Sequence, residues 1–89
     1  MEKQDPMTIR RTQAQRSAAT QDALRTAARA LWGERGYAEV GTPEIAQRAG
    51  VTRGAMYHQY ADKAALFLDV VETVEADVMT RLGAAVVAE

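Results

Sequence analysis

The side chains able to do chemistry gather in one stretch, Thr42 to Lys63, which reads TPEIAQRAGVTRGAMYHQYADK. Thr42, Thr52, Arg53, Tyr57, Gln59 and Lys63 supply hydroxyl, amide and cationic donors suited to phosphate oxygens and base edges, and no nucleophile-and-base arrangement accompanies them. His58 is the sole histidine and the chain has no cysteine. A metal centre or a catalytic dyad would therefore lack a second imidazole and any thiol. The six glycines are scattered and form no phosphate-cradling loop. These residue types point to binding without catalysis, with no cofactor and no metal.

Two short helical patterns joined by a glycine position these groups. Thr42 is expected to cap the first helix, and Pro43 suits its first position, where a missing N–H is no loss. Gly50 can end that helix at positive φ, with Val51 tucked back as an apolar plug. Thr52 restarts the chain as the next cap. Ile45, Ala46, Ala49 and Met56 form the apolar underside, so Arg53, Gly54, Tyr57, His58 and Gln59 are expected to face outward. An α-helix fits the major groove of B-DNA, and in a helix-turn-helix the second helix presents its N-terminal residues to base edges. Double-stranded DNA is the partner this pattern predicts. Arg53 suits either bidentate pairing with guanine or a phosphate, and Tyr57 combines ring packing with an outward hydroxyl. Lys63 can act as a point charge on phosphate near the positive end of the helix that follows.

The formal net charge of −1 conceals a segregation. Met1 to Lys63 carries ten Lys and Arg against seven acids, whereas Ala64 to Glu89 carries one Arg against five. A basic front bearing the motif and an acidic rear fit a protein that docks one end on phosphates. At 89 residues, 47% of them hydrophobic, the chain can build one small core and no sizeable catalytic cleft. No apolar run approaches membrane length, and neither a leader nor cysteines mark secretion. A cytoplasmic setting is expected.

Four helices are predicted. Met1 to Ala19 reads as a basic arm, flexible over residues 1–16, that becomes helical near its end; its Arg10, Arg11 and Arg16 could follow a DNA backbone. The first helix should run from about Thr20 to Arg35 with Leu24, Ala27, Ala28, Leu31 and Trp32 as its apolar stripe, stopped by Gly36 with Tyr37 packed after it. The motif helices follow at about Pro43 to Ala49 and Arg53 to Tyr60. Asp62 then caps a long fourth helix bearing Leu66, Phe67, Val70, Val71, Val74, Val78 and Leu82. Asp69, Glu72, Glu75 and Asp77 read as its solvated flank. Its apolar stripe outlasts the cover three short helices can give, which implies a missing partner.

With these features in order, the segment from about Thr20 to Val74 resembles the DNA-binding domain of the TetR family of bacterial transcriptional repressors. The resemblance rests on Trp32-Gly33-Glu34-Arg35-Gly36-Tyr37, on Thr42 with Ile45-Ala46 and Ala49-Gly50-Val51, and on Met56-Tyr57, Tyr60-Ala61-Asp62-Lys63 and Leu66. It implies an all-α fold: a three-helix helix-turn-helix bundle over residues 17–77, the motif at about 41–60, followed by a long fourth helix whose distal part, 78–89, leads to an effector and dimerisation half absent from this chain. It further implies an operator DNA, a homodimer formed through that half, and a small-molecule inducer. By the same resemblance, Thr42, Tyr57 and Lys63 hold phosphates, while Arg53, Gly54 and His58 face bases or the adjoining backbone. Gln59 stands where histidine is usual and Tyr60 where phenylalanine is usual. A competing reading treats Leu66 to Leu82 as a zipper for a partner helix, with the helix-turn-helix as a packing unit only.

Overall fold

A computed structural model describes residues 12–88, which form α1 (Gln13–Arg35), α2 (Thr42–Ala49), α3 (Arg53–Gln59) and α4 (Lys63–Ala88). All four predicted helices are present, and among the described residues there is no strand. The arm residues Arg10 and Arg11 lie outside the described residues.

Helix α1 starts about seven residues earlier than its apolar period suggests. A capping box sets the start: Gln15 N–H donates to Thr12 Oγ1 at 3.0 Å, and Thr12 N–H donates to Gln15 Oε1 at 2.9 Å. No residue of α1 before Leu24 is buried, so the first turns leave no hydrophobic signature. Gly36, at φ 93°, turns the chain out of the helix while its N–H still reaches Trp32 O at 2.8 Å.

The core draws on every helix. Leu24, Ala27, Ala28, Leu31 and Trp32 of α1 meet Val40, Ile45, Ala46, Met56, Tyr60, Leu66 and Val70, and burial of these side chains is the main source of stability. Trp32 satisfies its indole N–H on Val40 O at 3.0 Å, so the ring enters the core without an unpaired donor. Gly50 adopts the left-handed conformation, φ 76°, and Val51 folds back with its N–H on Ala46 O. That geometry sets the sharp corner between α2 and α3.

Helix α4 is fastened to α1 by ion pairs as well as by packing. Arg25 Nη1 meets Asp69 Oδ2 at 3.1 Å, and Arg29 Nη1 meets Asp77 Oδ2 at 3.0 Å. The expectation that Asp69 and Asp77 are plain solvated flank is therefore corrected, because basic residues of α1 lie opposite them. Asp62 Oδ1 accepts the Ala65 N–H at 2.8 Å at the start of α4. Val74 still packs against the core, whereas Val78, Met79, Leu82, Val86 and Val87 are exposed.

Candidate nucleic-acid interface

The interface is built on α3, a helix of seven residues that buries only Met56. Thr52 caps it, its Oγ1 accepting the Ala55 N–H at 3.0 Å. With Met56 inward, Arg53, Gly54, Tyr57 and His58 are left exposed on the other side. A Cβ added at Gly54 would meet nothing nearer than Thr52 Oγ1 at 3.9 Å. No crowding within the protein requires glycine there.

Thr42 does not cap α2. Gly41 does, in an extended conformation, its carbonyl accepting the Ile45 N–H at 3.2 Å without any side-chain cap. Released from capping, the buried Thr42 Oγ1 lies 2.7 Å from the Tyr57 hydroxyl oxygen. One hydroxyl donates to the other, which leaves one proton of the pair to offer outward. The Tyr57 ring is half exposed, at 46%, and is no core aromatic. The pair joins the start of α2 to the middle of α3.

Gln59 is also placed differently from expectation. It is half-buried and donates through Nε2 to Ser17 Oγ at 3.3 Å, so its amide is turned toward α1 and away from the outward face of α3. His58 and Gln59 share a groove of about 180 Å³ with Gln13, Arg16, Ser17 and Thr20 of α1. The first turns of α1 thus form a wall beside the reading helix.

Lys63 Nζ lies 4.1 Å from the centroid of the Tyr37 ring. The ring face attracts the ammonium and holds it in place, while its N–H donors remain able to meet an anion. Tyr37 in turn packs on Trp32 and Phe67 at 5.1 and 4.7 Å between centroids. Two residues that matter to this surface were not legible as such: Ser17 belongs to no motif, and Tyr37 was read only as packing after Gly36, not as a seat for Lys63. Glu44, the acid nearest Thr42, is neutralised by Arg35, whose pKa rises through that hydrogen bond and charge. Among the described residues no group of three or more His, Cys, Asp or Glu could hold a metal, and no helix is long and apolar enough to cross a membrane.

The family model described as bacterial regulatory proteins, tetR family, matches residues 24–70, just over half of the chain and including every element of this surface except Ser17 and the first turns of α1. The chain belongs to the TetR family. This member is 41% identical over 63 residues to the HTH-type transcriptional repressor BepR of Brucella suis and, over the same length, 41% identical to the HTH-type transcriptional regulator CymR of Pseudomonas putida. Each match covers 71% of this chain, but 30% and 31% of those relatives. A solved TetR-family transcriptional regulator from Pectobacterium atrosepticum superimposes with a TM-score of 0.71 at 39% identity, covering 83% of this TetR-family chain and 38% of that one. The chain therefore spans about a third of the length of its relatives.

Proposed function

We infer that this TetR-family chain is a sequence-specific DNA-binding transcription regulator that represses by occupying an operator. The observation that carries the reading is the division of α3: Met56 alone is buried, and Arg53, Gly54, Tyr57 and His58 stand exposed on a helix of a size that enters a major groove. In this reading Arg53, Gly54 and His58 meet base edges or the adjoining backbone. Thr42, Thr52, Tyr57 and Lys63 meet phosphates, and Gln59 positions α3 through Ser17. The name repressor carried by BepR supports the sign of regulation. Family membership supports a homodimer on a two-fold operator, a small-molecule inducer and a cytoplasmic setting; the chain spans only part of its relatives, and regions outside that part would supply the first two.

Selection of bound sites from a random duplex pool, followed by a salt titration on the winner, tests this. One enriched motif should emerge, with affinity falling steeply as salt rises because phosphate contacts release counterions. Lys63→Ala should then lower the salt slope by roughly one and weaken all duplexes alike. Absence of any enriched motif together with salt-indifferent association would sink the reading. That outcome would favour the helix-partner reading, for which the exposed run Val78, Met79, Leu82, Val86 and Val87 on α4 speaks.

A further inference from the structure

The reading helix is poorly determined by apolar packing. Seven residues with a single buried side chain give α3 little to stop it rolling about its axis. Directly after it, Tyr60 leaves the helical conformation at φ −134°, keeping its N–H on Met56 O at 2.9 Å and burying its ring in the core. The Tyr60 hydroxyl does not end there. It donates to Asp69 Oδ2 on α4, the same oxygen that accepts from Arg25 Nη1 of α1 at 3.1 Å. Thr73 donates to the Asp69 main-chain carbonyl at 2.9 Å, one turn further along α4. One carboxylate oxygen therefore joins three elements, and both of its bonds are charge-assisted.

We propose that Asp69 is a positioning residue for DNA reading, fixing the end of α3 through Tyr60 against α1 through Arg25. The proposal rests on the DNA-reading function inferred above. Packing alone would be served by an apolar ring at position 60, since the ring is already buried among core residues. The hydroxyl adds direction: it sets where the chain leaving α3 must meet α4, and so the tilt at which Arg53 and His58 are presented. At the same end of α3, Gln59 binds Ser17 of α1, so two neighbouring residues pin the helix end through polar contacts. The charged group paired with the carboxylate is Arg25, whose guanidinium also lies 3.6 Å from Asp22.

Tyr60→Phe keeps the ring and removes only the hydroxyl, and Asp69→Asn keeps the shape and removes the charge. Each variant is titrated against the duplex selected from the random pool and against a scrambled duplex of equal length. Affinity for the selected duplex should fall about five- to tenfold, with the scrambled duplex changed less than about twofold, as expected for losing one charge-assisted bond that orients the reading helix. The double variant should be no worse than the worse single one, because both changes break the same link. Equal weakening on both duplexes, or losses that add, would overturn the proposal. Amide hydrogen exchange without DNA decides it independently: exchange at residues 57–60 should accelerate in Tyr60→Phe while α2 and the middle of α1 keep their protection. Uniform acceleration would mean that Asp69 supports global stability only. If the unaltered chain prefers no duplex, the DNA-reading function fails, and selective exchange then shows that the tie to α3 exists without serving it; that too counts against the proposal.

Discussion

The α2–α3 corner and the distal part of α4 are both helical and both rich in apolar residues, yet they end in opposite conditions. In the corner, Ile45, Ala46 and Met56 are almost completely buried, and the polar side chains of Arg53, Tyr57 and His58 are left exposed. Along α4 past Asp77, Val78, Met79, Leu82, Val86 and Val87 are exposed, with no polar partner and no cover among the described residues. The difference lies in what is opposite. Helix α1 is long enough to underlie the corner and the first half of α4, and it stops at Arg35. Helical periodicity alone does not bury a side chain; an opposing surface does.

The largest test of this contrast is stability. Ile45→Ala should cost about 2–5 kcal/mol by leaving a cavity in a packed core, whereas Leu82→Ala should stay within about 0.5 kcal/mol. Urea unfolding of the two variants compares them, and equal losses would mean that α4 is covered in solution by something the chain supplies itself. Next comes the arginine pair. Arg53→Ala should relax preference at one operator position by roughly 1–3 kcal/mol, while Arg81→Ala, on the exposed far end of α4, should leave the selected motif unchanged. Site selection repeated on both variants reads this out.

The pH dependence of stability separates the tied part of α4 from its free end. The Tyr60 hydroxyl, against the opposing effect of burial and with help from Arg25, holds Asp69 below the usual carboxylate range; burial, reinforced by Asp69, pushes Tyr60 up to about 12. A depressed acid stabilises above its unfolded value and loses that contribution as pH falls through the folded one, so the loss begins below about pH 4. The raised phenol stabilises below its unfolded value of 10.0 and loses its contribution as pH climbs toward 12. Thermal melts should show a plateau between these limits, and Tyr60→Phe should remove the alkaline decline, worth about 1–2 kcal/mol after solvent screening.

The smallest effect concerns two helical glycines at which an added methyl group would clash with nothing in the protein. Gly54→Ala and Gly83→Ala should each stabilise by about 0.5–1 kcal/mol through helix propensity, since neither new Cβ meets a close neighbour. Only the first should weaken DNA binding, because its methyl group would stand on the surface proposed to meet the duplex. Equal DNA affinity in both would remove Gly54 from the interface.

Much of this architecture was legible because it follows from local rules. Gly50 and Thr52 state their conformations in their residue types, and the apolar stripe of α1 appears at helical spacing. What escaped either leaves no apolar period or depends on groups distant in sequence. The start of α1 lies in a capping box whose following turns bury nothing, so no period announced it. Thr42 looked like a cap, yet Gly41 takes that role through its backbone alone, and the hydroxyl was free for Tyr57, fifteen residues on. Gln59 seemed to face outward until Ser17, at the far end of α1, placed its amide. Asp69 and Asp77 of α4 gained partners only when Arg25 and Arg29 came opposite.

Trp32 has a spectroscopic consequence. It is the single tryptophan of the chain, 8% exposed, with its indole N–H bonded and its ring edge-on to Phe67 at 5.5 Å. Its emission in the folded protein should be blue-shifted and should move to the red on unfolding, giving a probe with no competing fluorophore of its kind. Phe67 is 37% exposed and, together with Trp32 itself, lines the groove to which Val71 and Val74 also contribute. Emission from Trp32 will therefore respond to any molecule that enters that groove, without a label and without disturbing α3.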